Sequence, residues 1–156
     1  MDSDKAFEIF RAMNREGVEY IVFGAFALAA HGLVRATEDV DFFVKPSREN
    51  IERLRRALRS IWNDPQIDEI TEDDLLGDYP AVCYWPEGED FNIDILTRLG
   101  EAYSYENLEW EEGELEGVPV RVVTARMLYE MKRQTVRYKD RLDADRLRQK
   151  FGLRED

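Results

Sequence analysis

The spacing of apolar residues along the chain of 156 residues predicts four helical segments. Apolar side chains recur every three or four residues, as on one face of a helix, after Ser3 and again after Ser47. An alanine-rich stretch, residues 25–32, predicts a short helix. Thr124 is placed to cap a long helix, whose periodicity resumes through Leu147. Each helix would bury one apolar face against the rest of the protein.

Short apolar segments rich in β-branched and aromatic residues lie between these helices and predict strands. They are residues 19–24, 39–44, 81–86, 91–96 and 118–123, and residues 109–116 are expected to form an exposed hairpin. Two of the strands flank the turn-forming sequence EGED and are typical of a β-hairpin. This order predicts a mixed α/β (α+β) fold: a small mixed β-sheet flanked by helices, with a helical C-terminus. We expect a single domain over residues 1–156, with a core at about 18–123 and C-terminal helices at about 124–151.

Charge is distributed unevenly along the chain, whose formal net charge is −12. Residues 62–117 carry eighteen acidic side chains and one basic one, whereas residues 118–156 carry eleven basic and six acidic. A net charge this negative disfavours a protein that coats nucleic acid, but it does not exclude a nucleotide or an RNA end as substrate.

Cysteine content and hydropathy narrow the class of protein further. The single cysteine, Cys83, excludes a disulfide framework, and its position in an apolar strand predicts a buried thiol. No apolar run approaches the roughly 20 residues of a membrane span, and the N-terminus begins with charged residues. We therefore expect a cytoplasmic protein without membrane contacts.

Three acidic residues stand in the middle of predicted strands, where apolar residues are expected. Asp39 and Asp41 are two positions apart, so their carboxylates point to the same face of the strand. Asp94 lies between Ile93 and Ile95 in the same way. Neighbouring carboxylates near a core repel each other unless a cation lies between them, and Mg²⁺ prefers such oxygen ligands. The pattern predicts a magnesium site, although an Asp-x-Asp pair is also typical of a solvated strand face or of carboxylates bonded to backbone donors.

Residues just before the acidic pair are typical of phosphate binding. Gly24 ends the first predicted strand where a helix begins, and a glycine there lets backbone amides approach a phosphate. Any tight strand-to-helix turn produces the same feature. Arg35 and Thr37 lie between that helix and the acidic pair. Arg35 is a candidate to neutralise a triphosphate, or it forms an ion pair with Asp39 or Asp41.

Together these residues resemble the nucleotidyltransferase superfamily, which has a polymerase-beta-like fold. The shared order is a strand, Gly24-Ala25, about a dozen residues, Asp39-Val40-Asp41 and a later acidic residue on a strand, Asp94. The strings VFGAFALAAHGLVRATEDVDFFV and MLYEMKRQTVRYKDRLDADRL resemble its AbiEii/AbiGii-toxin-like branch of abortive-infection proteins. Many relatives have glycine or serine where this chain has Ala25, so a serine hydroxyl that would contact phosphate is missing here.

The resemblance implies a role for each of these residues. Asp39, Asp41 and Asp94 would be catalytic residues and ligands of Mg²⁺ or Mn²⁺, with Asp94 also assisting deprotonation of the acceptor hydroxyl. Gly24 and Ala25 would bind the triphosphate through their backbone amides. Arg35 and Thr37 would complete the nucleotide-binding residues.

Lys132 begins a stripe of mostly charged residues along one face of the predicted C-terminal helix. Val136, Lys139 or Asp140, and Asp143 follow it at three- and four-residue spacings. The resemblance implies that Lys132 is catalytic and reaches a phosphate or the acceptor. The spacing alone is also typical of a solvated helix face held by weak ion pairs.

The sequence thus predicts an enzyme that transfers a nucleoside monophosphate from an NTP to an acceptor hydroxyl with Mg²⁺. The acceptor would be RNA, a protein or a small molecule, and the branch implies a toxin–antitoxin or abortive-infection system. Ala25 favours an alternative, a nucleotide-binding or partner-binding module of the same fold with little catalysis. A third hypothesis is an interaction protein that binds a basic partner through the acidic residues 62–117.

Overall fold

The computed structural model describes residues 3–34, 36–78, 80–133 and 137–154. In chain order, the helices and strands of these residues are α1 (Ser3–Glu16), β1 (Tyr20–Phe23), α2 (Gly24–Ala30), β2 (Asp39–Val44), α3 (Arg48–Arg59), α4 (Glu72–Leu75), β3 (Ala81–Tyr84), β4 (Asn92–Leu96), β5 (Arg98–Leu99), β6 (Tyr103–Ser104), β7 (Trp110–Leu115), β8 (Val118–Val123), α5 (Ala125–Arg133) and α6 (Tyr138–Phe151). The predicted strands and the first three predicted helices are all present, with ends within a few residues of those expected.

A six-stranded mixed sheet forms the centre of the described part of the chain, in the order β3-β4-β2-β1-β8-β7. The pairs β4–β2 and β1–β8 are parallel, and the other neighbours are antiparallel. β3 and β4 form the predicted hairpin, and β7 is an exposed edge strand that pairs with β8 across a second hairpin. A mixed sheet flanked by helices confirms the predicted fold class.

Helix α1 covers one face of this sheet. Phe10 of α1 stacks on Tyr20 of β1 with 6.1 Å between ring centroids, and Tyr20 contacts Phe42 of β2 edge-on at 5.9 Å. All three rings are buried, and burying a side chain of this size typically stabilises a fold by roughly 1.5–3 kcal/mol. Helix α3 packs beside α1 and begins at Ser47, whose hydroxyl accepts a hydrogen bond from the backbone N–H of Asn50 at 3.2 Å.

Strand pairing determines which side chains share the opposite face. Asp41 is paired with Phe23 on β1 and with Asp94 on β4, and directly paired residues point to the same face. Side chains alternate along a strand, so Phe42, which contacts the α1 side, points the other way. The acidic residues therefore lie on the face away from α1.

The C-terminal residues form two helices rather than the single long helix that the periodicity predicts. α5 ends at Arg133, and Arg137 before α6 has extended backbone, with φ −71° and ψ 129°. Thr124 caps α5 as predicted, accepting a hydrogen bond from the backbone N–H of Met127 at 3.2 Å. The two helices pack against each other and bury apolar residues at their contact, which one straight helix could not do. The predicted stripe is therefore wrong as a single helix face, and Val136 lies outside the described residues.

Residues 63–78, between α3 and β3, contain a 3₁₀ helix at Pro65–Glu69 and the short α4. Both begin at side-chain caps: Asp64 accepts from the backbone N–H of Gln66, and Thr71 accepts from that of Asp74.

Across the described ranges, every helix is too short or too polar to pass through a membrane.

Candidate active site

The three acidic residues predicted from the sequence come together on two adjacent strands. Asp39 and Asp41 lie on β2, and Asp94 lies directly beside Asp41 in the parallel register of β4. Asp39 is exposed, whereas Asp41 and Asp94 are half-buried. The carboxyl groups thus form one cluster at an open face of the sheet.

Crowding in this cluster changes the ionisation of its members. Burial, followed by a hydrogen bond to Asp94 and the charges of Asp94 and Asp39, raises the pKa of Asp41 well above its usual range, and the charge of Lys132 opposes this rise. Burial and then the charge of Asp94 also raise the pKa of Asp39. Carboxyl groups that repel each other in this way have a high affinity for a proton or a cation.

Gly24, the first residue of α2, lies directly against Asp41. Its φ is +70°, and a β-carbon at this position would lie 3.0 Å from Cγ and 3.2 Å from Cβ of Asp41, and closer still to Oδ2. A residue with a side chain would therefore meet both a steric clash and the strain of left-handed backbone. The sequence predicted this glycine for its access to phosphate, and the structure adds that it makes room for the central carboxylate.

The other predicted nucleotide-binding residues lie around the start of α2 and β2. Ala25 follows Gly24 in α2, and its side chain is buried. Thr37 accepts a hydrogen bond from the backbone N–H of Asp39 at 3.0 Å and so orders the chain as it enters β2. Arg35 lies outside the described residues, and its role stays a prediction.

Lys132 lies within electrostatic reach of the acidic cluster, and its side chain is buried. Its ammonium group donates hydrogen bonds to Asp143 at 3.0 Å and to Asp140 at 3.2 Å, both on α6. Its charge also opposes the rise in the pKa of Asp41. Lys132 of α5 thus pairs with two carboxylates of α6, and its catalytic role stays a prediction.

Asn92 and Cys83 also lie at this site, although the sequence pattern does not predict either of them there. Nδ2 of Asn92 donates hydrogen bonds to Oδ1 of Asp94 at 3.1 Å and to Sγ of Cys83 at 3.3 Å. Asn92 precedes Asp94 by two residues in a strand, so the alternation of side chains could have revealed it.

Cys83 is exposed, and the prediction of a buried thiol is wrong. β3 is an edge strand, and Cys83 is paired with Asp94, so its side chain points to the open acidic face. Loss of water around the sulfur atom, followed by its hydrogen bond to Asp94, raises the pKa of the Cys83 thiol to about 11.

A cavity of about 1020 Å³ opens beside the site rather than over the acidic residues. Its lining includes Ala25, Thr37, Phe7 of α1 and Glu114 of β7, but not Asp39, Asp41 or Asp94. The predicted metal ligands therefore lie outside this cavity, which adjoins Ala25 and Thr37, two of the predicted nucleotide-binding residues.

The donor set suits a hard divalent cation, although its members are not arranged around one. Within the described ranges, no group of three or more histidine, cysteine, aspartate or glutamate side chains already has a metal-binding arrangement. Asp39, Asp41 and Asp94 nevertheless share one face of two adjacent strands, and they are the residues that would hold such an ion.

A mixed sheet with two acidic residues on one strand, a third on its parallel neighbour and a glycine turn against them is the arrangement of a nucleotidyltransferase. The chain belongs to the family described as "Nucleotidyl transferase AbiEii toxin, Type IV TA system", whose model matches residues 11–151. Both the predicted superfamily and its predicted branch are thereby confirmed. None of the curated proteins matches the chain in sequence.

Solved structures of nucleotidyltransferases share the fold. The solution structure of the antibiotic-resistance factor ANT(2″)-Ia is similar to this chain, with a TM-score of 0.62 and a sequence identity of 17%. The match covers 97% of this chain and 86% of ANT(2″)-Ia. The crystal structure of ANT(2″)-Ia in complex with adenylyl-2″-tobramycin has a TM-score of 0.59 and a sequence identity of 14%, over 93% of this chain and 86% of ANT(2″)-Ia. The nucleotidyltransferase TM1012 from Thermotoga maritima has a TM-score of 0.51 and a sequence identity of 14%. The match covers 94% of this chain and 89% of TM1012. At these identities the likeness concerns the fold.

Proposed function

We propose that this protein transfers a nucleoside monophosphate from an NTP to an acceptor hydroxyl in a reaction that depends on Mg²⁺. The observation that carries the proposal is the pairing of Asp41 with Asp94 on adjacent parallel strands, with Asp39 on the same face. The contact of Gly24 with Asp41 supports it, because it sets the start of α2 directly beside the carboxylates.

Asp39, Asp41 and Asp94 would hold the cation, which would be Mg²⁺ or, in its place, Mn²⁺. Three oxygen ligands that repel one another fit a hard divalent ion and leave positions for phosphate oxygens and water. When bound, such an ion neutralises the triphosphate and stabilises charge on the attacking and leaving oxygens.

The protein's own groups would bind the substrates and accept a proton. The acceptor oxygen attacks the α-phosphorus, the bond between the α- and β-phosphates breaks, and pyrophosphate leaves. Asp94 would accept the proton of the acceptor hydroxyl when the O–H bond of that hydroxyl breaks. The backbone amides of Gly24 and Ala25 would bind the triphosphate, since Phe23 before them has no side-chain oxygen to occupy them.

The acceptor belongs to one of three classes: RNA, a protein or a small molecule. The family description supports a role as the toxin of a toxin–antitoxin system. In that role, the acceptor and the antitoxin partner would be other molecules of the cell. ANT(2″)-Ia, solved with adenylyl-2″-tobramycin, supports a small-molecule acceptor by analogy of fold. An NTP substrate agrees with the predicted cytoplasmic location.

The test is to incubate the protein with each labelled NTP, Mg²⁺ and separate RNA, protein and metabolite fractions from cells. We expect pyrophosphate release and transfer of label into one fraction, and loss of both in Asp41→Asn. Glu112→Gln on the exposed edge strand β7 is the matched control for loss of one negative charge. Equal turnover by the wild type and Asp41→Asn would refute the role of the acidic cluster.

Ala25 supports the alternative of a nucleotide-binding module with little catalysis, because its buried methyl group offers no hydroxyl to phosphate. Calorimetry with NTP and Mg²⁺ separates the two proposals. Binding without pyrophosphate release in any fraction favours the module, and release favours the enzyme.

A further inference from the structure

The side-chain amide of Asn92 is buried among the acidic residues of the proposed site. Only 5% of the residue is exposed, and it is paired with Asp39 across β2 and β4. It precedes Asp94 by two positions, so all three side chains lie on the same face of the sheet. Phe91 and Ile93 beside it are fully buried, which makes a polar residue costly at this position unless it has partners.

The partners of this amide are members of the acidic site. Nδ2 donates to Oδ1 of Asp94 at 3.1 Å and to Sγ of Cys83 at 3.3 Å. The side chain of Asn92 also lies beside that of Asp39, with which it is directly paired across β4 and β2. One uncharged donor group thus holds the carboxylate of Asp94 and lies next to that of Asp39.

An amide suits this position better than a charged donor. A lysine or arginine would neutralise the carboxylates and compete with a cation, whereas an amide leaves their charge intact. Each carboxylate also has a second oxygen that stays available when the first accepts a hydrogen bond. Groups that orient metal ligands in this way usually contribute a factor of about 10–100 to metal affinity.

We propose that Asn92 is a positioning residue of the acidic site, which holds the carboxylate of Asp94, beside Asp39, in the orientation that binds a divalent cation. This inference rests on the proposed function. It adds a residue that neither touches the substrate nor binds the cation itself.

The test measures binding of Mn²⁺ alone to the full chain, from the electron paramagnetic resonance signal of free Mn²⁺. Asn92→Val removes the donor and keeps a residue with high strand propensity, and Asn92→Ala is measured in parallel in case valine overpacks the site. The matched control is Asn50→Ala. Asn50 is equally buried, but its amide donates to the backbone oxygens of Glu19 at 2.9 Å and Lys45 at 3.0 Å, at the junction of α3 with the sheet.

We expect the Kd for Mn²⁺ to rise at least tenfold in the Asn92 variants. In Asn50→Ala we expect a lower Tm and an unchanged Kd. Equal Kd values in the wild type and the Asn92 variants would overturn this inference alone. A similar rise in the Asn50 variant would also overturn it, since the effect would then follow from general destabilisation. A wild type that binds no Mn²⁺ would overturn both the proposed metal dependence and this inference.

Discussion

Gly24 and Asp41 are in direct contact, and this contact joins the glycine turn to the central carboxylate of the site. A β-carbon at position 24 would lie 3.0 Å from Cγ of Asp41. The two residues are 17 positions apart in the sequence, and the antiparallel pairing of β1 with β2 brings them together. The same glycine therefore serves the backbone turn and the position of a proposed metal ligand.

Gly24→Ala is expected to lower both stability and nucleotidyl transfer. Left-handed backbone in a residue with a β-carbon costs about 1–2 kcal/mol, and the clash with Asp41 adds to it. Gly17→Ala is the matched control, because Gly17 has φ +74° and, among the described residues, a β-carbon added there would meet no atom within 4 Å. We expect chemical denaturation to show a larger loss for position 24, and only that variant to lose activity. Equal losses at the two positions would show that the contact with Asp41 is unimportant.

Asp41→Asn is expected to raise the Tm of the metal-free protein at neutral pH. Because the pKa of Asp41 is raised in the folded state, the folded protein binds more protons than the unfolded one above the ordinary carboxyl pKa of about 4. The stability associated with this group is therefore present at acid pH and is lost as pH rises through the folded-state pKa. Asparagine does not titrate, so the advantage of the variant should grow with pH.

Thermal unfolding in EDTA, at steps between about pH 3 and pH 8, measures this difference. Addition of Mg²⁺ should stabilise the wild type more than Asp41→Asn, because the variant lacks one proposed ligand. A difference in Tm that shrinks as pH rises would contradict the prediction.

Lys132→Met is expected to destabilise the protein by about 3 kcal/mol or more, because it removes the cation from a buried cluster of carboxylates. The side chain of Lys132 is 8% exposed and that of Asp143 is 2% exposed. The double variant Lys132→Met/Asp143→Asn should lose less than the sum of the single variants, since both partners of the ion pair are then gone. Lys139→Met, on the exposed part of α6, is the control for loss of a lysine and should change stability by less than about 0.5 kcal/mol. Strict additivity in the cycle would show that the pair is not coupled.

Cys83 is expected to react slowly with iodoacetamide for an exposed cysteine. Its pKa of about 11 leaves little thiolate at pH 8, and the greater nucleophilicity of that thiolate offsets this only in part. We expect alkylation on the order of tenfold slower than in the same protein unfolded in urea, which is the internal control. Asp94→Asn should accelerate the reaction of the folded protein, because Asp94 raises the pKa of the thiol. Equal rates in folded and unfolded protein would contradict the expected shift.

Local sequence patterns were sufficient to predict most elements. β2 is formed by the predicted residues 39–44, because its β-branched and aromatic residues favour a strand and glycine and proline lie outside it. The alternation of side chains also places Asp39 and Asp41 on one face, whichever strands lie beside β2. A helix follows Ser47, and Thr124 caps α5, both as expected, since each feature depends on residues only a few positions away.

Contacts between distant segments could not be predicted in the same way. The burial of Cys83 was wrong because hydropathy does not reveal that β3 is an edge strand. The single C-terminal helix was wrong because the periodicity of two packed helices resembles that of one. The role of Asn92 is not predictable from the sequence, because it depends on Asp39 and Cys83, which belong to neighbouring strands.

Most of the elements, the glycine turn and the three acidic residues follow from local sequence, because they depend on local propensity and on the two-residue repeat of a strand. By contrast, long-range folding places Asp41 beside Asp94, Gly24 against Asp41 and Lys132 next to Asp143 between two helices. These contacts cannot be predicted locally because burial of apolar surface over the whole domain sets strand order and helix packing. A short stretch of sequence therefore specifies which side chains share a face, but not which face lies opposite it.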